Sequence, residues 1–364
     1  MARCEPGSPP GEGAPRAARD RSTSALSREI RLMQAPPFWH ADPGHPAARL
    51  LAPLGHLYGR LAAERMDRAG TPALCPVVCV GNFTMGGAGK TPTALALAAL
   101  LRGLGARPAF LTRGYGGRLS GPIRVDPARH DAAETGDEPL LLARTATTVL
   151  ARDRPAGARL CASLGADVVV MDDGLQNPSL AKNFALAVVD AGAGIGNGLP
   201  FPAGPLRAPL ERQWRHVGGL VLIGEGAPGE RVADAADRRG LAVHRARLSP
   251  DAASAFAGRR VLPFAGIGRP EKFFATMRET GAQLVGTRAF PDHYRYRAAD
   301  LAALSQAALR CDAVLVTTQK DRVRLPPGFA AEVLPVTLRF RDEAQLLARL
   351  RIVLDARPTA SPSL

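Results

Sequence analysis

The residues with the clearest chemical meaning form a glycine-rich stretch, GNFTMGGAGKT, at positions 81–91. A short apolar run precedes it and a helix-forming run follows, which is the strand–loop–helix layout of a phosphate-binding P-loop. Glycines let backbone N–H groups turn toward a polyphosphate, and the helix N-terminus adds a favourable dipole. Lys90 is expected to reach the β- and γ-phosphates and Thr91 to bind Mg²⁺. The predicted nucleotide-binding residues are Thr84, Met85, Gly86, Gly87, Ala88, Gly89, Lys90 and Thr91.

One position departs from the strict P-loop pattern, because Thr84 stands where G-x-x-x-x-G-K-[ST] requires glycine. A glycine cluster alone is often only a turn. The strand before it and the helix after it favour a phosphate-binding role over a structural turn.

An acidic pair, Asp172-Asp173, ends the apolar strand predicted over 167–171. An acid at the carboxyl end of a buried strand downstream of a P-loop is the Walker-B arrangement, which holds Mg²⁺. An Asp in this place can also cap the next turn. Two in succession favour the metal site, although the sequence does not say which one contacts the metal.

Other candidate groups are ambiguous when taken one at a time. Asp137, in Gly136-Asp137-Glu138, could simply cap a helix. His293, in the loop FPDHY, could be an ordinary surface histidine. Arg113, in a glycine-rich loop, and Arg207 could each meet a phosphate or belong to a plain turn.

The elements that must position these groups alternate between apolar strand-like runs and helical runs. This alternation predicts an α/β fold with a parallel sheet, helices on both faces, and a second, smaller α/β domain. We expect a disordered extension over 1–28, a P-loop domain over 29–215, the smaller domain over 216–340, and a C-terminal helix and tail over 341–364. Residues 137–151 are predicted to be one helix. A basic amphipathic helix over about 46–68 could lie on a membrane or pack on its own domain.

The composition narrows the class of protein. A chain of 364 residues with 46% hydrophobic residues suits one large or two medium domains. The net charge of +14 comes almost entirely from arginine, which suggests a GC-rich genome. Because the sequence has no RNA-binding or zinc-finger motif, we expect no nucleic-acid partner.

Five scattered cysteines fit a reducing compartment. No apolar run reaches the ~20 residues of a membrane span, and residues 1–28 lack a secretory signal, so we expect a cytoplasmic location.

Taken together, the motifs resemble the tetraacyldisaccharide 4'-kinases, which phosphorylate the lipid A precursor. The matching stretches occur in the family's order and cover nearly all of 46–350. They are GNFTMGGAGKTP (81–92), TRGYGG (112–117), GDEPLLLA (136–143), DDGLQNPSL (172–180), FPAGPLR (201–207), GIGRPEKFF (266–274), FPDHY (290–294) and TTQKD (317–321). Thr84 is normal for this family.

The resemblance implies an ATP- and Mg²⁺-dependent kinase at the cytoplasmic face of a Gram-negative inner membrane, with no obligate protein partner. Its acceptor would be the 4'-hydroxyl of a tetraacyldisaccharide 1-phosphate. The family's catalytic Asp and His fall on Asp137 and His293, so we expect a cleft between domains that closes on the substrate. The helix over 46–68 becomes a membrane-contact element. The implied catalytic residues are Asp137, His293 and Lys90. The implied metal ligands are Thr91, Asp172 and Asp173. The implied substrate contacts are Arg113, Tyr115, Gln176, Asn177 and Arg207.

Some positions differ from the family pattern. Asn177 replaces the usual His, Gln319 replaces Glu, and an Arg common near 194–198 is missing. These changes affect expected contacts to the sugar or base. The alternative is a P-loop ATPase switch that binds a membrane or protein partner, but such ATPases place a signature lysine where this chain has Met85, and they lack a counterpart of 290–294.

Overall fold

The computed structural model of the protein describes residues 35–251 and 253–356. The extension predicted over 1–28 lies outside the described residues. The strands are Val77–Gly81 (β1), Pro108–Thr112 (β2), Ile123–Arg124 (β3), Thr148–Leu150 (β4), Val168–Asp172 (β5), Phe184–Asp190 (β6), Gly219–Ile223 (β7), Ala242–Pro250 (β8), Arg260–Ala265 (β9), Gln283–Leu284 (β10), Arg288–Ala289 (β11), Val314–Thr318 (β12), Glu332–Leu334 (β13) and Val336–Phe340 (β14).

The α-helices alternate with these strands, and 3-10 turns occur at Pro37–His40 and Ala253–Phe256. The α-helices are Pro46–Met66 (α1), Lys90–Gly103 (α2), Ala132–Thr135 (α3), Asp137–Ala143 (α4), Arg154–Ser163 (α5), Leu210–Trp214 (α6), Ala227–Asp237 (α7), Pro270–Glu279 (α8), Ala298–Arg310 (α9), Gln319–Arg322 (α10) and Ala344–Asp355 (α11). The helix predicted over 137–151 ends early, because β-branched Thr147, Thr148 and Val149 favour the strand β4. No helix within 35–251 and 253–356 is long and apolar enough to cross a membrane.

The described chain forms two compact units. The large unit contains a nine-stranded sheet in the order β14-β8-β7-β6-β1-β5-β2-β4-β3. Its central strand β1 pairs in parallel with both β5 and β6. Alternate side chains of β1 enter two different apolar clusters, one with Val77 and Cys79 and the other with Val78 and Val80. Both faces of the sheet are therefore buried, as the α/β fold class requires.

The boundary between the units lies at residue 250 rather than at the predicted residue 216. The reason is strand pairing: β7 continues the large sheet beside β6, and β8 pairs with β7. β14, near the C-terminus, also belongs to this sheet and lies at its edge beside β8. Leu346 and Leu350 of α11 are buried in the cluster that contains Val78 and Val80.

The small unit, Pro250–Val336, is a second α/β layer structure. Its sheet has the order β10-β9-β12-β13, and β11 also pairs with β9. The pairs of β9 with β12 and of β12 with β13 are parallel. This arrangement places the loops that follow β9 and β12 at the same edge of the sheet.

Candidate active site

The P-loop joins the carboxyl end of β1 to the first residue of α2. Gly86 and Gly89 have φ angles of 94° and 90°, in the left-handed region that favours glycine. A Cβ atom on Gly89 would lie 2.5 Å from Cδ1 of Ile223 at the end of β7, whereas Cβ atoms on Gly86 or Gly87 would meet open space. The loop is thus packed on one side and open on the other, as a polyphosphate cradle requires.

Asn82 and Lys90 organise the interior of the loop. The buried amide of Asn82 donates from Nδ2 to the carbonyls of Thr84 (2.7 Å) and Gly86 (3.2 Å). Lys90 Nζ donates to Asn82 Oδ1 at 3.3 Å and to the Gly86 carbonyl at 3.4 Å. The ammonium group is therefore held inside the loop, at the N-terminus of α2, where a lysine can meet phosphate oxygens.

The acidic pair lies directly beside this loop. Lys90 Nζ is 3.8 Å from Asp173 Oδ2. Asp173 has a φ angle of 52°, a left-handed conformation that Asp tolerates better than most residues. Burial would raise the pKa of Asp173, but the charges of Lys90 and Arg207 hold it below its usual value. Asp173 is consequently a stable carboxylate in contact with the P-loop lysine.

Asp172 differs from its neighbour because it is almost fully buried. Burial, and then the negative charges of Glu138 and Asp173, raise the pKa of Asp172 to about 7. Neither of its carboxylate oxygens has a hydrogen-bond partner among the described residues. A buried carboxylate without hydrogen bonds is costly unless a cation compensates it, so this environment fits a divalent metal ligand.

Arg207 fastens the P-loop to the acidic pair. Its Nη1 and Nη2 donate to the two carboxylate oxygens of Asp173 at 2.8 and 3.1 Å, and its Nε donates to the Thr84 carbonyl at 3.0 Å. Gln176 supports the same segment by donating to the Asn82 carbonyl at 2.8 Å. Met85 N donates to the Pro205 carbonyl at 2.7 Å. The segment around 205–207 therefore braces the first half of the loop.

Asp137 is buried at the N-terminus of α4, where the helix dipole favours a carboxylate. A Cβ atom on Gly136 would lie 2.3 Å from the carbonyl oxygen of Tyr115, so this turn packs tightly on the loop 112–117. Tyr115 itself is 71% exposed. Arg113 is also exposed, and both side chains are accessible to a substrate.

His293 belongs to the small unit, in the segment that follows β11. Its φ angle of 58° is unusual for histidine, and its backbone N–H donates to the Gly266 carbonyl. Its Nε2 lies 3.2 Å from Lys320 Nζ. Asp321, fully buried, accepts hydrogen bonds from Gly266 N, from the Tyr296 hydroxyl and from Arg324. This network fixes the backbone that presents the histidine.

The structure brings some predicted site residues into direct contact and leaves others apart. Lys90, Asp173, Gln176 and Arg207 form one connected network around the P-loop. Asn177 does not join it, since its Oδ1 accepts from the backbone N–H and hydroxyl of Ser179. Gln176 and Arg207 therefore act in the described structure as braces of the loop.

Sequence reasoning missed several residues that shape the site. Asn82, Glu138 and Lys320 lie inside the family motifs, but the motifs assign them no role. Arg154 was not singled out at all: it is 1% exposed, and its guanidinium donates to the carbonyl of Asp172. Burial lowers the pKa of Arg154, while the charge of Asp172 opposes that shift. The sequence carries no local signal for Arg154, because its burial follows from tertiary packing.

The fold and this site define a P-loop nucleotide-binding protein of the α/β class. A model of the tetraacyldisaccharide-1-P 4'-kinase family matches residues 47–355. The chain therefore belongs to the tetraacyldisaccharide 4'-kinase family, as its motifs predicted.

Individual relatives agree with this assignment. A tetraacyldisaccharide 4'-kinase of Methylobacterium radiotolerans is 68% identical over 326 residues, which cover 89% of this chain and 100% of the relative. The Rhodopseudomonas palustris enzyme of the same name is 53% identical over 86% of this chain and 94% of its own. A solved structure of LpxK from Aquifex aeolicus in complex with ATP is 22% identical with a TM-score of 0.67, covering 84% of this chain and 99% of that one. That likeness concerns the fold.

Proposed function

We propose that the protein transfers the γ-phosphate of ATP to the 4'-hydroxyl of a tetraacyldisaccharide 1-phosphate, the lipid A precursor. The observation that carries the proposal is the contact of Lys90 with the P-loop interior and with Asp173, next to the buried carboxylate of Asp172. Membership of the 4'-kinase family supports the choice of acceptor. The relatives named for this activity match over nearly their whole length.

The residues around the P-loop suit a nucleotide with its metal. The open side of Gly86 and Gly87 leaves room for phosphates near backbone N–H groups. Thr91, Asp172 and Asp173 would hold Mg²⁺, and the two unbonded oxygens of Asp172 fit that role. Mg²⁺ supplies charge neutralisation at the transferring phosphoryl group. Lys90 adds a fixed positive charge at the same place, which needs no reorganisation during the reaction.

Asp137 is the proposed proton acceptor for the attacking hydroxyl. A sugar hydroxyl is a poor nucleophile and reacts faster when a positioned base takes its proton. Asp137 is buried at the N-terminus of α4, next to Glu138, whose charge acts on Asp172. His293 remains a proposed catalytic residue, and its Nε2 lies 3.2 Å from Lys320 Nζ.

The remaining proposed substrate residues form two groups, those with exposed side chains and those already hydrogen-bonded within the protein. Arg113 and Tyr115 lie on the accessible loop 112–117 and are proposed to meet the lipid headgroup. Arg207, Gln176 and Asn177 are proposed to act on the substrate only through the shape of the site, because each is already bonded within the protein.

We further propose that α1 rests on the cytoplasmic face of the inner membrane. Its leucines at 50, 54, 57 and 61 are 58–80% exposed and share one face at helical spacing. The opposite face is tied to the large unit, because Gly55 and Gly59 approach Ala203, Pro200 and Pro209 closely. An exposed apolar stripe on a helix that also carries Arg49, Arg60 and Arg65 suits an interfacial position.

Phosphate transfer from ATP labelled at the γ position tests the proposal. With tetraacyldisaccharide 1-phosphate in detergent micelles, we expect labelled lipid with Mg²⁺ and none after chelation of the metal. Release of labelled inorganic phosphate without labelled lipid would contradict the kinase proposal and indicate an ATPase.

A further inference from the structure

A cavity of about 390 Å³ lies at the edge of the large sheet opposite to the P-loop. It opens where β6 and β7 begin, beside residues 183–185 and 217–218, and the C-terminal end of α1 forms one wall through Met66. The P-loop follows the carboxyl end of β1, which runs parallel to β6. We call this the amino-edge cavity, and it is separate from the nucleotide site.

The walls of the amino-edge cavity carry an excess of positive charge. Arg68, Lys182, Arg215 and Arg349 line it together with His216 and a single acid, Asp67. Asp67 is already engaged, because Arg212 Nη1 and His216 Nε2 each lie 2.9 Å from its carboxylate oxygens. Within the described part of the chain, the four lining cations make no ion pair. The cavity therefore holds cations whose charge no carboxylate of the described residues neutralises.

Lys182 distinguishes the cavity from a solvated arginine face. Its side chain is half-buried, and burial lowers the pKa of its ammonium group. Its ammonium donates at 2.6 Å to one acceptor, the carbonyl of Asn177. An ammonium has three donors, so two remain for a ligand.

The arrangement of the arginines also suits one ligand chemistry. Arg349 stacks over the Phe184 ring, 5.3 Å from its centroid, and this contact restrains the side chain without using its N–H donors. Guanidinium groups and a lysine that line one cavity supply the donors that commonly bind phosphate oxygens. Arg68, Arg215 and Arg349 are exposed, and they line a cavity large enough for a phosphate ester.

We propose that the amino-edge cavity binds a phosphate group, carried either by an anionic lipid or by a soluble phosphate ester. The site does not depend on the proposed kinase activity. Its position at the end of α1 suits a headgroup of the membrane that α1 is proposed to contact, but the same donors would bind a free phosphate.

Two binding measurements on the full chain test the proposal. The first is sedimentation with phosphatidylglycerol vesicles and, for comparison, vesicles of phosphatidylcholine with the same acyl chains, which carry no net charge. Lys182→Met should weaken phosphatidylglycerol binding about fivefold, and Arg68→Gln with Arg215→Gln roughly 20-fold. The matched charge controls are Arg238→Gln and the pair Arg238→Gln with Arg310→Gln, exposed residues that do not line the cavity.

The second measurement uses inorganic phosphate while Mg²⁺ and a non-hydrolysable ATP analogue fill the P-loop. Phosphate should raise the Tm of the wild type but not of the cavity variants. If the cavity variants lose both phosphatidylglycerol binding and the rise in Tm with phosphate, the cavity is a site for a lipid headgroup. If they lose only the rise in Tm with phosphate, it is a site for soluble phosphate esters. Cavity variants that match the controls in both measurements overturn the proposal. The double arginine variant alters exposed side chains only, so it keeps the test valid if Lys182→Met lowers stability.

Discussion

Replacing Arg207 by lysine separates bracing of the P-loop from direct recognition of the substrate. Arg207 donates to Thr84 O and to both carboxylate oxygens of Asp173. A lysine keeps the positive charge and one of these contacts, but it lacks the planar guanidinium group that donates to several acceptors at once. Charge-assisted hydrogen bonds contribute about 1.5–3 kcal/mol each, and after a discount for partial exposure the loss is about 2 kcal/mol. If that free energy is needed to order the loop, ATP binds roughly 30-fold more weakly.

Calorimetric titration with Mg²⁺ and a non-hydrolysable ATP analogue measures this effect, and kinetics with the lipid acceptor accompany it. We expect Arg207→Lys to have a higher Kd for the nucleotide and an unchanged KM for the lipid. Arg113→Lys is the matched control, since Arg113 is exposed and belongs to the proposed lipid contacts. An unchanged nucleotide Kd together with a raised lipid KM in Arg207→Lys would refute the bracing role and assign Arg207 to the substrate.

Three further predictions concern catalysis and stability. Asp137→Asn should lower kcat by about 100-fold or more while the Kd of ATP changes little, and parallel losses would make Asp137 a helix cap. Gly136→Ala should unfold at a lower temperature, because its Cβ would lie 2.3 Å from the Tyr115 carbonyl, whereas Gly103→Ala, whose Cβ meets open space, should be stabilised by about 0.5–1 kcal/mol. Burial lowers the pKa of His244 below its ordinary 6.5. As the pH falls, the unfolded chain therefore binds this proton before the folded protein does. Acidification through pH 6.5 should reduce the free energy of unfolding measured in urea, and this reduction should be smaller in His244→Gln than in the wild type.

The sequence predicted the parts of the fold whose signals are local. The apolar runs of β1 and β5 and the helix after Lys90 each carry their own pattern, so these elements appear where expected. The unit boundary could not be read in this way. β7 looks like any buried strand, and only its pairing with β6 shows that it continues the large sheet.

The same distinction applies to the site. Lys90, Thr91 and the Asp172-Asp173 pair follow a motif whose spacing encodes their position. The contacts of Arg207 with Thr84 and Asp173 join residues more than thirty positions apart, and no local pattern encodes them. The burial of Arg154 behind Asp172 is likewise a property of packing.

The position of the transferred phosphate decides whether the protein is a 4'-kinase. After reaction of the wild-type protein with ATP, Mg²⁺ and tetraacyldisaccharide 1-phosphate, phosphorus–proton correlation NMR of the purified lipid identifies each phosphorylated oxygen. We expect a new phosphomonoester on the 4'-oxygen, absent from the reaction with Lys90→Ala. Unmodified lipid beside ADP and free phosphate, or a product formed equally by Lys90→Ala, would contradict it.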